Sequence, residues 1–496
     1  MSTGGQLLKP EKTPIPQEVL EHFLDAEKLK YCFECGICTA SCPMSELLPK
    51  DYNPRILVEK IYHNPREAIK DPALWLCAWC YRCYRHCPQK VKLPEILLSV
   101  RQIAKEQGEL EGFDRALEII SQEIPFPTSF GYVCLHPERV HLENMLEDLD
   151  THVTSKRKKP MHETEAEVPN AKVAVLGAGP AGLTAAHELV EKGYKVTVFE
   201  SSPQAGGMLR QCIPEFRLPK KYVDAEIQRI QNMGVEIKTN VKVGSDLSFN
   251  DLWQQGFKAI LVSTGAHKTR RLGVENENLK GVWDALDFLR QANCDKKTVV
   301  GERVAVVGGG NVAIDSARTA VRLGAKKVSI LYRRSRDEMP ANPYEIEEAE
   351  HEGVKIQFLV APKRILGQNE RVNSVECVKM TLGEPDATGR RSPKPVEGSE
   401  FTVPLDTLIL AIGEAPDLSF LPKEVEVSEG NTIAVEPFNA ESSMPGVFAG
   451  GDCVSGPATV IEAVLTGKRA ADQIDRYLRD AKTAQEEPIV EGRKQV

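Results

Sequence analysis

The chain has 496 residues, long enough for about three domains by the usual length prior. Its 41% apolar content supports ordinary buried cores, and a net charge of −8 at pH 7 argues against a nucleic-acid partner. The opening stretch, MSTGGQLLKPEKTPIPQEV, holds no apolar leader segment, and no run of about 18 apolar residues occurs anywhere, so neither a signal peptide nor a membrane span is expected. The 13 cysteines then point to a reducing, cytoplasmic setting and to metal chemistry rather than disulfides.

Residues 1–30 start as a Pro- and Lys-containing tail and continue into a helical stretch, Glu18 to Lys30. Next come two copies of one cysteine run. The first is Cys32-x2-Cys35-x2-Cys38-x3-Cys42-Pro43, and the second is Cys77-x2-Cys80-x2-Cys83-x3-Cys87-Pro88. Three closely spaced cysteines can wrap one four-iron core, and the fourth commonly reaches across to a neighbouring cluster. Cys32, Cys35, Cys38 and Cys87 are therefore assigned to one 4Fe-4S cluster, and Cys77, Cys80, Cys83 and Cys42 to a second. Gly36 lets the backbone approach the sulfides, and each proline closes its turn. Structural zinc is the competing reading, but zinc prefers separated Cys-x2-Cys knuckles, and a third cysteine at the same short interval fits it poorly. Five cysteines, Cys134, Cys212, Cys294, Cys377 and Cys453, are left without a Cys-x2-Cys partner.

Between the runs, Ile56, Leu57, Val58 and Ile61 have helical spacing to about Tyr62, where Pro65 breaks the pattern and starts a second short turn. Leu93 to Gln107 also reads as helix. Trp75, Trp79, Tyr81 and Tyr84 sit among the second ligands, and apolar packing that keeps water off a cluster explains them better than electron relays do. Residues 1–150 are thus expected to form an all-α domain around two clusters. Residues 151–169 read as a solvated linker, with a basic run, Lys156 to Lys159, followed by an acidic one.

From Lys172 the pattern alternates between strands and helices. Val173 to Leu176 runs into Gly177-Ala178-Gly179-Pro180-Ala181-Gly182, then a helix to Gly193, then the strand Tyr194 to Phe199 and Glu200. This is a dinucleotide fingerprint in its required context. Gly177 makes the tight turn, Gly179 lets the backbone approach a pyrophosphate, and Gly182 lets helix and strand pack closely. Glu200 is placed to accept a hydrogen bond from a ribose hydroxyl. A second unit follows: strand Val304 to Val307, Gly308-Gly309-Gly310-Asn311-Val312-Ala313, a helix to Leu323, and strand Lys327 to Tyr332. It ends in Arg333 and Arg334 rather than an acid, and guanidinium groups suit a 2′-phosphate, so NADP(H) is expected here. Near the end, the strand Gly446 to Ala449 delivers Asp452 after Gly450 and Gly451, and Gly456-Pro457-Ala458-Thr459 opens a helix. Asp452 would take ribityl hydroxyls, and the helix N-terminus near Thr459 would face the pyrimidine edge of a flavin.

The stretches VAVLGAGPAGLTAAHEL, IPEFRLPK, VAVVGGGNVAIDSAR, YRRSRDEMPA and GVFAGGDCVSGPATVIEAV give a resemblance over about Lys172 to Leu478. This region resembles the NADPH-dependent small subunit of glutamate synthase. It is also similar to the flavin subunit of ferredoxin:NADP transhydrogenases and to the front half of dihydropyrimidine dehydrogenase. The regular cysteine runs look more like the C subunit of heterodisulfide reductase. The resemblance implies FAD contacts at Gly177, Gly179, Pro180, Ala181, Glu200, Gly207, Thr264, Gly265, Asp452 and Thr459. It implies NADPH contacts at Gly309, Gly310, Asn311, Val312, Arg333, Arg334 and Gly413.

The expected fold is multidomain: an N-terminal all-α two-cluster, ferredoxin-like domain and two Rossmann-type α/β domains, the second inserted in the first. FAD is assigned to 170–285 and 415–480, NADPH to 286–414, and a tail to 481–496. The expected function is an NADP(H)-dependent FAD/iron–sulfur oxidoreductase subunit. It would take electrons in pairs from NADPH and release them singly through the clusters to a partner subunit, with no side chain needed as acid or base. The partner complex is read as electron-bifurcating or transhydrogenase-type, with ferredoxin, NAD(H) or a hydrogenase involved. The alternatives are a glutamate synthase small subunit and an electron-transfer spacer without catalysis.

Overall fold

The computed structural model describes residues 35–147, 171–294, 298–386, 389–436 and 439–486. The helix expected at Glu18 to Lys30, the linker at 151–169, Cys32 and the end of the tail lie outside the described residues. The chain divides into two compact units: one of residues 1–159 with Thr459–Leu465, the other of residues 160–458 with 466–496.

The described part of the front unit is helical. Asn53 caps the helix Pro54–His63 by accepting from the Arg55 and Ile56 amides at 3.1 and 3.2 Å. That helix buries Leu57, Val58 and Ile61 on one face, and Pro65 opens a separate turn, Pro65–Ala68. Two longer helices, Leu93–Glu106 and Glu111–Glu123, bury Ile96, Leu97, Val100, Phe113, Ala116 and Ile120. Proline closes each cysteine run as expected in sequence, but Pro43 also has a positive role as the first residue of a new helix, Pro43–Leu47, where its missing N–H costs nothing. Arg82 pairs with Glu462 within this unit.

The second unit holds two five-stranded sheets. The first has strand order β16-β4-β1-β2-β3, with β1 Lys172–Leu176, β2 Lys195–Phe199, β3 Glu236–Lys238, β4 Phe257–Val262 and β16 Val447–Ala449, all neighbours parallel. The second has order β6-β14-β7-β8-β9, with β6 Val282–Asp284, β7 Arg303–Val307, β8 Lys327–Tyr332, β9 Lys355–Phe358 and β14 Thr407–Leu410, again parallel. The chain therefore leaves the first sheet after β4, builds the second, and returns with β16. The two crossings pair with each other: β5, Lys268–Thr269, runs antiparallel to β15, Glu414–Ala415. Strands β1 and β4 read as unbroken apolar runs because helices cover both faces of such sheets, and Val173, Ala174, Val175, Ile260, Leu261 and Val262 are all buried. An antiparallel layer, β10 Val360–Gln368, β11 Arg371–Pro385, β12 Arg391–Pro395 and β13 Phe401–Pro404, precedes β14. Its alternating burial was not foreseen in the sequence. Between Ile365, Val375 and Cys377 on this layer and Ala305, Val307 and Leu408 on the second sheet lies a shared core.

Candidate functional site

The two cysteine runs fold alike. Gly36 and Tyr81 hold equivalent positions, each directly following the second cysteine of its run, and both are left-handed, with φ of 61° and 57°. Each caps a short helix, Ile37–Ala40 or Arg82–His86. The turn that aims successive thiols inward thus demands positive φ in both copies, with glycine accepting it in one and a buried tyrosine in the other.

The thiols of the two runs adjoin. Cys38 lies in the electrostatic field of Cys35 and Cys87. Cys42 neighbours Cys77, Cys80 neighbours Cys42 and Cys77, and Cys83 neighbours Cys77, Cys80, Cys42 and Cys38. The fourth cysteine of each run therefore lies near a thiol of the other. Burial pushes the Cys42 thiol up to about 11 and Cys80 up to about 12, so a buried positive core is what would hold them as thiolates. The indole N–H groups of Trp75 and Trp79 and the Ser41 hydroxyl are buried with no acceptor among the described residues. Donors left over beside the ligands suit sulfide and thiolate acceptors.

In the first nucleotide loop, Gly177 has φ of 105°, and a Cβ there would lie 2.5 Å from the Ser263 carbonyl oxygen. Gly182 is held tighter still, its would-be Cβ 2.0 Å from the Gly177 oxygen. Pro180 opens the helix Pro180–Glu191, and Ala181 is buried. Gly207, with φ of 51°, comes so close to Gly179 that a Cβ would sit 2.7 Å from its Cα. Glu200 is buried and accepts from the Ala178 amide at 2.8 Å and the Ser202 amide at 2.7 Å. Its carboxylate is thereby pinned under the loop while retaining lone pairs for a ribose hydroxyl. The buried Thr264 hydroxyl has no partner among the described residues, and Gly265 beside it has φ of 70°. Gly451, at φ 76°, precedes Asp452, which opens a short helix to Ser455. Thr459 belongs to the other unit, where its amide and hydroxyl both donate to Glu462 Oε2, at 3.0 and 2.7 Å.

In the second loop, Gly308 has φ of 142° and a Cβ there would lie 2.1 Å from the Ala411 carbonyl oxygen. Gly309 packs on the Tyr332 ring, 2.5 Å from a would-be Cβ, and Gly310 caps the helix Asn311–Arg322 with open space in front. Asn311 Oδ1 accepts from the Asn342 amide at 3.0 Å, and Val312 follows it on the same first turn. Gly413, at φ 110°, accepts from the Arg270 amide at 3.0 Å. The arginine pair is split. Arg333 is exposed, whereas Arg334 is buried, donating to Asp386 Oδ2 at 2.7 Å and to the Arg391 carbonyl at 2.8 Å. Arg390, from the turn between β11 and β12, and Arg391, the first residue of β12, join this end of β8. Sequence reading missed them because only the antiparallel layer brings them there.

Sequence reading also left Arg217, within IPEFRLPK, without a role. It extends from the segment after the first nucleotide loop to Asp315 on the helix of the second, at 2.9 and 2.8 Å from its two oxygens.

A family model described as pyridine nucleotide-disulphide oxidoreductase matches residues 171–467. The chain belongs to that family. A second model, a 4Fe-4S dicluster domain, matches residues 28–91 of this pyridine nucleotide-disulphide oxidoreductase. The chain is thus an oxidoreductase with FAD, NADP(H) and 4Fe-4S clusters as its cofactors. It is 40% identical over 443 residues to the NADP(+)-dependent formate dehydrogenase subunit beta of Moorella thermoacetica, covering 82% of this chain and 61% of the relative. It is 38% identical over 441 residues to the NADPH-Fe(3+) oxidoreductase subunit beta of Geobacter sulfurreducens, covering 81% and 64%. It therefore spans less than two thirds of the length of either. The glutamate synthase [NADPH] small chain of Azospirillum brasilense is 35% identical over 436 residues, covering 82% of this chain and 88% of that one. Among solved structures, Mycobacterium tuberculosis FprA in complex with NADPH aligns with a TM-score of 0.53 at 19% identity, covering 64% of this chain and 86% of FprA, a likeness of fold. No helix among the described residues is long and apolar enough to cross a membrane.

Proposed function

We propose that this oxidoreductase is the NADP(H)-reacting electron-transfer subunit of a larger redox complex. FAD is held by Gly177, Gly179, Pro180, Ala181, Glu200, Gly207, Thr264, Gly265, Gly451 and Asp452. NADPH occupies an inserted domain, residues 286–414, through Gly309, Gly310, Asn311, Val312, Gly413 and Arg333. Cys32, Cys35, Cys38 and Cys87 hold one cluster, and Cys42, Cys77, Cys80 and Cys83 the other. When bound, the flavin and clusters supply the conversion between paired and single electrons. The chain's own residues position them: Glu200 orients a ribose, the glycines admit the phosphates, and the exposed Arg333 at the end of β8 selects the 2′-phosphate.

The observation that carries this reading is the contrast between the two loops. One ends in a buried carboxylate tied to its own backbone, and the other ends in a cluster of guanidinium groups. Two Rossmann units with opposite charge at the ribose position call for two different nucleotides. The partner is read as a catalytic or electron-accepting subunit of a bifurcating or transhydrogenase-type complex, with ferredoxin as a candidate. A glutamate synthase large subunit is the second reading, favoured by the length match to the Azospirillum brasilense small chain.

Anaerobic purification tests the reading. About eight iron atoms and one FAD per chain are expected, and NADPH should bleach the flavin. Stoichiometric zinc with almost no iron would refute it, and the subunits that co-purify would decide between the partners.

A further inference from the structure

One side chain beside the cysteines is not explained by folding alone. Arg101 is 2% exposed, in the middle of the helix Leu93–Glu106. Each of its hydrogen bonds ends on a backbone carbonyl: Nε on Leu74 at 2.9 Å, Nη1 on Leu135 at 3.0 Å, and Nη2 on Cys77 at 3.3 Å. Its guanidinium carbon also sits 5.5 Å from the Trp75 ring and 6.0 Å from the Trp79 ring. None of these partners is an anion. The carboxylate nearby, Glu138, is held by His136 at 3.0 Å. Loss of hydration opposes burying a charge that lacks a counter-charge, so such a group is ordinarily paired.

We propose that Arg101 is the built-in counter-ion of the cluster held by Cys42, Cys77, Cys80 and Cys83, and that it raises that cluster's reduction potential. The proposal rests on the cluster assignment above. Four thiolates outweigh the charge of an iron–sulfide core, so the ligated group is an anion in either oxidation state and supplies the charge Arg101 lacks. Gaining one electron makes that anion more negative. A fixed cation in a dry interior therefore stabilises the reduced form more than the oxidised form. Burial alone acts the other way, penalising the more highly charged state. Tyr52 reinforces the cation: it is 3% exposed, and its hydroxyl hydrogen-bonds to Cys77. The other cluster's cysteines have no equivalent among the described residues. Cys35 is exposed, and Cys87 Sγ accepts from the Val91 amide at 3.4 Å.

The test is a redox titration of the anaerobic full chain followed by paramagnetic resonance, with iron measured in each sample. Arg101→Met should lower one of two one-electron midpoints by at least about 59 mV, the equivalent of a tenfold change in the reduced-to-oxidised ratio. The other midpoint should stay, and Arg101→Lys should stay near wild type. The shifted step should be the one that Cys77→Ser perturbs. Tyr52→Phe should lower the same step by less. Unchanged midpoints in Arg101→Met with full iron would overturn the proposal. Should Arg101→Met lose the second cluster while Arg101→Lys keeps it, the counter-ion role stands. Should both lose it, the side chain serves only its carbonyl contacts and the proposal fails. Wild-type protein without about eight iron atoms would instead refute the cluster reading itself.

Discussion

Arg217 donates to both oxygens of Asp315, at 2.9 and 2.8 Å, and so ties the segment after the first nucleotide loop to the helix of the second. Both side chains are largely buried, and Asp315 lies beside Glu345, which Arg318 holds at 2.8 Å. Removing one member of a buried pair strands the other. Arg217→Met should therefore destabilise this unit by about 3–5 kcal/mol in denaturant titrations. Arg217→Met with Asp315→Leu should recover much of that loss, and a double variant as weak as the single one would show that the pair is not the cause.

The split arginines make different demands. Arg333→Ala should weaken NADPH by about ten- to a hundredfold, the loss of about 1.5–3 kcal/mol for hydrogen bonds to a charged group, and leave NADH unchanged. Arg334→Ala should instead remove the ion pair to Asp386 and loosen the β11–β12 hairpin, lowering thermal stability and affecting both nucleotides alike. Equal losses of NADPH and NADH in Arg333→Ala would remove the 2′-phosphate assignment.

Glycines in the two loops should tolerate substitution very differently. Gly182→Ala sets a methyl 2.0 Å from the Gly177 oxygen and 2.7 Å from Ser263 Oγ, with backbone on one side that cannot yield. It should cost about 1–3 kcal/mol and reduce the FAD retained after gel filtration. Gly310→Ala meets nothing within 4 Å and should leave the melting temperature unchanged.

Gly36 isolates the cost of a left-handed turn. Its φ is 61° and no atom lies within 4 Å of a Cβ built there. Gly36→Ala should thus cost only the conformational penalty, about 1–2 kcal/mol, read as a lower unfolding midpoint of the iron-loaded protein.

Acid should reveal the Arg–Glu network on the second nucleotide domain. Burial raises the Glu352 carboxyl, but hydrogen bonds from Arg322 and Arg318 outweigh it and hold the group below its usual 4.5. A folded value below the unfolded one means stability that is fully present above about pH 4.5 and lost as pH falls through the lowered value. The stability gap between wild type and Glu352→Gln should be constant near neutrality and close below about pH 4.5. A gap that widens in acid would contradict the network.

Local pattern was enough wherever one residue's neighbours in sequence are also its neighbours in space. The strand–glycine–helix–strand runs at Lys172 and Arg303 fold within a few residues of their expected limits, because an apolar run, a turn and a helical face are short-range features. Pro65 ended its helix and opened the next turn for the same reason. The β10 to β13 layer escaped because its strands alternate around prolines and charges, a pattern weak until the partners are aligned.

By itself, then, the order of residues determined the two cysteine runs, the two nucleotide loops and the acid or arginine that ends each second strand. Only the tertiary structure decided that Arg334 is committed to Asp386, that Arg217 reaches Asp315 across 98 residues, and that Arg101 is buried against Cys77. The reason is electrostatic. A side chain's charge is written in the sequence, but whether that charge is free for a ligand depends on which opposite charges and carbonyls packing places beside it.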